Sequence, residues 1–183
     1  MERLKKGWVL LVSLLVLSAP VSAGQSGAKA GLLLPGGMTV DNGRARDFDA
    51  NAGLMLGVFS DFQLGDKVSA GPFLDFSQFT VADGSGVSKI DVGASLKFRV
   101  RATPQVVVRP FVNLAYGYAS ITTDNLTGFV TEASNSFLVY ALGVEAVYER
   151  YVFDVGYTGA SGGNEEFVYF WGQTYLRVGY LFD

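Results

Sequence analysis

Histidine and cysteine are both missing from this sequence of 183 residues. Without cysteine no disulfide can staple the fold, and a lipid-anchored precursor, which needs Cys at its cleavage point, is excluded. Without histidine no Ser–His or Asp–His arrangement can be built, so no catalytic residue and no enzymatic activity are expected. A metal would have to be a hard cation held by carboxylates. DNG at 41–43 and DGSG at 83–86 lack the rest of a calcium loop, so neither a metal site nor a cofactor is expected. Glu165 and Glu166 read as a solvated loop. Charge is also scarce, at 17%, with 14 Lys plus Arg against 17 Asp plus Glu and a formal net charge of -3. That balance argues against nucleic acid as a partner. Beyond residue 23 no apolar run approaches the roughly 20 residues of a membrane-spanning helix.

Glycine and aromatic residues are abundant, with 23 Gly, 14 Phe and 9 Tyr, a balance that suits twisted β-structure. The length fits one domain. At the start, Arg3, Lys5 and Lys6 precede an apolar run from Trp8 to Leu17. Pro20 closes the run, and Val21, Ser22 and Ala23 supply small residues for cleavage. Residues 1–23 are therefore expected to be a cleaved signal peptide and 24–183 the mature domain.

The stretch SKIDVGASLKFRV at 88–100 shows how that domain is built. Ile90, Val92, Ala94, Leu96, Phe98 and Val100 leave on one side; Lys89, Asp91, Gly93, Ser95, Lys97 and Arg99 leave on the other. Period two means a strand with one apolar and one charged face, whereas helical spacing would bury Lys97. About eight stretches share this habit. Pro72 cannot donate a ladder bond, so a bulge or break is expected there. Glu149 and Arg150 fit a two-residue hairpin turn. The register near Pro35 and Gly172 stays open: Trp171 falls on the polar face, but a bulge at Gly172 would swap it outward.

Periodicity does not say whether the apolar face meets a core or lipid, and the rest of the chain favours lipid. Short connections follow the fourth and sixth strands and longer polar ones follow the first, fifth and seventh, as in an up-and-down membrane barrel. The expected external loops are 35–47, 82–87, 122–135 and 159–166. Aromatic residues on the apolar face gather near strand ends, as interfacial girdles do. These are Phe48, Phe76, Tyr116, Tyr118, Tyr140, Tyr157 and Phe170 toward the loops, and Phe98, Tyr148, Tyr151, Tyr180 and Phe182, with Phe62, toward the turns. Every polar face carries glycine, which suits a lumen only just wide enough for side chains. The same face holds Asp75, Lys89, Asp91, Lys97, Arg99, Arg109, Glu145, Asp154 and Arg177, which would have to pair in a narrow lumen.

VRPFVNLAYGYA at 108–119 and the closing TYLRVGYLFD at 174–183 resemble the small outer-membrane β-barrels of the porin-like superfamily, which includes the OmpA membrane domain and OmpX. In the closing segment Tyr180 and Phe182 keep the apolar alternation and Asp183 follows. The resemblance implies an all-β fold: a single eight-stranded antiparallel up-and-down transmembrane barrel in the outer membrane of a Gram-negative bacterium. It implies outer-membrane lipid and lipopolysaccharide as surroundings, and an assembly machinery that reads the C-terminal strand. No peptidoglycan-binding domain is expected after that strand, and the barrel is expected to be a monomer. The leading functional expectation is a structural or surface-interaction role. A narrow pore for small solutes or ions is the alternative, and a soluble periplasmic barrel binding an apolar ligand is the third reading.

Overall fold

The computed structural model describes residues 24–41, 45–81, 86–122, 132–163 and 168–182. The expected leader, Glu165, Glu166 and Asp183 lie outside them. The two-faced stretches form strands β1 (Gln25–Leu33), β2 (Gly36–Asp41), β3 (Ala45–Gln63), β4 (Val68–Val81), β5 (Gly86–Phe98), β6 (Val100–Arg101), β7 (Val106–Thr122), β8 (Glu132–Tyr148), β9 (Tyr151–Gly163) and β10 (Val168–Phe182). All pairings are antiparallel. β1 and β2 are halves of one stave, since both pair with β3 on one side and β10 on the other. β6 continues β5 along β7. The sheet therefore closes as eight staves and, among the described residues, leaves no edge strand to template aggregation.

Turns at 64–67, 102–105 and 149–150 gather at one end of the barrel, with Gly24 and Phe182. This is the turn end; the strand termini at Asp41, Ala45, Val81, Gly86, Thr122, Glu132, Gly163 and Val168 lie at the other, the loop end. Tyr148 pairs with Tyr151 across the two-residue turn. Glu149 there has φ of 52°, the left-handed conformation that lets a tight turn follow the twist of its strands.

Burial alternates along every stave, and the apolar face points outward. Leu54 and Leu138 are 62% exposed and Leu114 59%, while Glu145 is 0% exposed. This inverts a soluble barrel, so the apolar-ligand reading is corrected: its oily core is the outer wall.

Two other expectations change and two open ones are decided. Within the expected loops, residues 36–41, 45–47, 122, 132–135 and 159–163 are ladder, because polar residues there still find backbone partners on neighbouring staves. At roughly 3.3 Å per residue and a tilt of about 40°, the 17 residues of β7 climb roughly 40 Å, more than an apolar band roughly 25 Å tall. Polar ladder thus continues past the lipid. Second, the β3–β4 register shifts between Ala50 and Gly53. Above this bulge Ala50 turns inward and Asn51 outward, and Phe48, expected in the outer girdle, packs against the interior apolar cluster. Third, at Pro72 the expected bulge or break takes the form of a break. Pairing with β3 lapses between Ala70 and Phe73 and resumes in the same register, which is what one missing donor requires. Fourth, β10 keeps one register with β9 from Val168 to Tyr180, so Trp171 stays inside. The irregularity falls on the first stave at Leu34–Pro35, which gains one residue relative to β10 between the pairs Leu33–Tyr175 and Gly37–Gly172.

Candidate functional site in the barrel interior

Inward-facing positions of all eight staves supply the chemistry of the lumen. The buried charges are Lys29 on β1, Asp61 on β3, Asp75 on β4, Lys89, Asp91 and Lys97 on β5, Arg109 on β7, Glu145 on β8, Asp154 on β9 and Arg177 on β10. Cations and carboxylates are equal in number. Eight of the ten form one continuous chain of ion pairs. Glu145 is its centre, contacted by Lys29, Arg109 and, at 3.3 Å, Lys97. Asp61 joins Lys97 at 2.7 Å and Arg109 at 3.6 Å. Asp154 bridges Lys29 and Arg177, each at 2.8 Å. Arg177 also donates from one nitrogen to both oxygens of Asp75, at 2.9 and 3.0 Å. Lys89 pairs separately with Asp91 at 2.6 Å.

Rings insulate these charges. Lys29 and Lys97 sit 4.6 and 4.4 Å from the Phe59 centroid, and Arg177 stacks 4.6 Å from that of Tyr175, arrangements that recover part of the lost hydration. Glycine provides the room. A Cβ at Gly57 would overlap the Asp75 carboxylate, and one at Gly156 would strike the Tyr175 hydroxyl. Above the ionic layer, toward the loops, Met38, Phe79, Val81, Val87, Phe137 and Trp171 form an apolar plug, with the Phe137 and Trp171 rings edge to face at 4.1 Å. Below it, Val147, Val152 and Leu181 cover the turn end. The lumen is thus not filled by charge and glycine alone.

Two interior cavities measure about 20 and 10 Å³. The larger is lined by Ser95, Asn113 and Asp154, the smaller by Asp91, Asn113 and Tyr175. Ser95 Oγ, Asn113 Oδ1 and the Tyr175 hydroxyl lack protein hydrogen-bond partners. Each cavity has room for about one water, and neither admits a solute or ligand.

Of the nine lumen charges expected from the sequence, Asp75, Lys89, Asp91, Lys97, Arg109, Glu145, Asp154 and Arg177 are brought together here. Arg99 is not: it lies between β5 and β6 at the turn end, half-buried, where its backbone N–H donates to Lys67. Lys29 and Asp61 were missed. Parity held the signal, since Lys29 alternates with Gly31 and Leu33, and Asp61 continues the series Gly57, Phe59. Phe76, Phe98, Tyr116, Tyr118, Tyr140, Tyr148, Tyr151, Tyr157, Phe170, Tyr180 and Phe182 all present rings to the outside. Among them the Tyr140 and Tyr157 rings lie over Gly159 and Gly172 of neighbouring strands.

A closed eight-stave antiparallel barrel with an apolar exterior and an ion-paired interior is the architecture of an outer-membrane β-barrel: its ladders close on themselves and the outer face is predominantly apolar. Solved structures agree on the fold. Neisserial surface protein A (NspA) is similar at 14% identity over 88% of this chain and 100% of its own, with a TM-score of 0.56. Ail, the attachment invasion locus protein of Yersinia pestis, has 14% identity, the same coverages and a TM-score of 0.51. A major outer membrane protein from Thermus thermophilus has 15% identity, again the same coverages, and a TM-score of 0.51. No protein-family model and no curated protein matches the sequence.

Proposed function

We propose that the protein is a sealed outer-membrane barrel that anchors and presents its loop end for contact with external surfaces or partners. The supporting observation is the lumen: an ion-pair chain drawn from every stave, capped by apolar layers, in which the two cavities among the described residues are water-sized. Such an interior holds a scaffold together without offering a path. In this reading residues 1–23 direct export, the turn end faces the periplasm, and the C-terminal strand is what the assembly machinery engages. Lipopolysaccharide surrounds the upper girdle and the barrel works as a monomer. NspA is named a surface protein and Ail an attachment invasion locus protein, which supports a surface-interaction role for this chain.

Planar-bilayer recording tests the sealed lumen: no stepwise conductance is expected, and reproducible steps would establish the narrow-pore alternative instead. Orientation is tested in the naturally cysteine-free chain. Maleimide should label Asp47→Cys but not Lys67→Cys on intact cells, and the opposite result would reverse the barrel.

A further inference from the structure

Lys89 and Asp91 pair apart from the main ionic chain of the lumen, and polar atoms without protein partners lie between the two. They are Asp91 Oδ1, Asp154 Oδ1, the Asn113 amide oxygen and the hydroxyls of Ser95 and Tyr175. Buried polar atoms are rarely left bare, because each has given up its hydrogen bonds to water. All five belong to residues that line the two interior cavities. Asp91, Asn113 and Tyr175 line the smaller; Ser95, Asn113 and Asp154 line the larger. Asn113 is therefore common to both. Asp75 also lines both, but its two oxygens are already taken by Arg177.

We propose that each cavity binds one ordered water, and that the two waters share the Asn113 amide oxygen and so join the Lys89–Asp91 pair to the main ionic chain. The balance of donors and acceptors selects water. In the smaller cavity Asp91 Oδ1 and Asn113 Oδ1 only accept, whereas the Tyr175 hydroxyl donates. A water gives its two protons to the first pair and receives the third, the three bonds typical of a buried water. In the larger cavity Asp154 Oδ1 and the second lone pair of Asn113 Oδ1 accept, and the Ser95 hydroxyl donates. The connection thus runs from Asp91 through water, Asn113 and water to Asp154. A metal cation fits neither cavity. Lys29, Lys97 and Arg177 line the larger, and the five buried cations already balance the five buried carboxylates. These sites depend on the cavities alone, so conductance in a bilayer would refute the sealed lumen without removing them.

Oxygen-17 relaxation dispersion of the solvent counts long-held waters in the folded barrel, extracted from outer membranes in mild detergent. Relative to the wild type, Ala141→Val, which fills the smaller cavity, should lower the count by one. Ser95→Val, which fills the larger, should also lower it by one, and Asn113→Leu by two. Tyr175→Phe adds no volume and removes one of three bonds, so its water should stay but leave about tenfold sooner. That variant keeps the test open where a filled cavity prevents folding, which heated and unheated gel mobility reports. The bridge is read by combining Asp91→Asn with Asn113→Leu. Their joint loss in the folded-to-unfolded ratio should be at least about fivefold smaller than the product of the single losses. An unchanged count in both filled variants, an unchanged residence time in Tyr175→Phe, or multiplicative losses would overturn the proposal. So would a shift of the Asn113 amide resonance when sodium is replaced by choline, since a cation would then occupy the site.

Discussion

Neutralising Glu145 is the most direct probe of the interior. Glu145→Gln keeps size and shape but leaves Lys29, Lys97 and Arg109 converging on an uncharged amide, fully out of solvent. At an effective dielectric of about 20, each ion pair at this range carries on the order of 4 kcal/mol of attraction. Much of that sum only offsets the desolvation of the four groups, so the net cost of removing one partner is about 3–5 kcal/mol. Arg109→Gln should cost a similar amount through Glu145 and Asp61. The double variant again balances cations and carboxylates among the remaining eight buried charges, so its loss should fall short of the two single losses combined by about 2–3 kcal/mol.

Urea unfolding of residues 24–183 in lipid vesicles measures this, with Trp171 as the reporter. It is the single tryptophan of that segment and sits buried against Phe137. A Glu145→Gln loss below about 0.5 kcal/mol with no coupling to Arg109 would match a solvated, screened pair. It would mean that the lumen is wet, and the sealed-scaffold reasoning would fail with it.

Glycine, lipid-facing and turn positions give three further tests by the same assay. Gly71→Ala should destabilise by about 1–3 kcal/mol, because its Cβ would overlap the Ser60 backbone carbonyl, whereas Gly37→Ala, with open space around it, should stay within about 0.5 kcal/mol. Leu114→Arg places a charge midway along β7 on the lipid face and should cost about 2–4 kcal/mol; a neutral outcome would put that face in water. Glu149→Asn relieves a left-handed backbone and should stabilise by about 0.5–1 kcal/mol, with slower unfolding as the visible sign.

Strand-level structure was legible because lipid enforces it. Each outward position in Ile90 to Phe98 must be apolar and each inward one fits a lumen, so alternation carries both face and register. Failures came where that constraint lifts. Past the apolar band the outer face is free to be polar, and Gly36–Asp41 looks like a loop while its backbone completes the ladder between β3 and β10. Near the bulge at Ala50–Gly53 parity slips by one residue, which carried Phe48 to the inside. Arg99 keeps the parity of Lys97 but lies beyond the last residue of β5, where alternation no longer implies enclosure. The pairing itself was out of reach, since which carboxylate meets which cation depends on shear around the barrel.

That pairing explains how a chain without disulfides settles on one closure. The hairpin ladders are local, yet the ionic links are not. Lys29 reaches Glu145 and Asp154 across 116 and 125 residues, and Arg177 reaches Asp75 across 102. These contacts exist only when the first and last staves meet. Lipid contributes little preference between registers that all expose apolar residues, so discrimination has to come from what a wrong register exposes. Slipping β10 by one residue would turn Arg177 into hydrocarbon at a cost of about 2–4 kcal/mol. It would also strand Asp75 without its guanidinium and leave Asp154 with Lys29 alone. The alternative closure is therefore penalised on both faces at once, and the charge layer acts as the register pin of the seam.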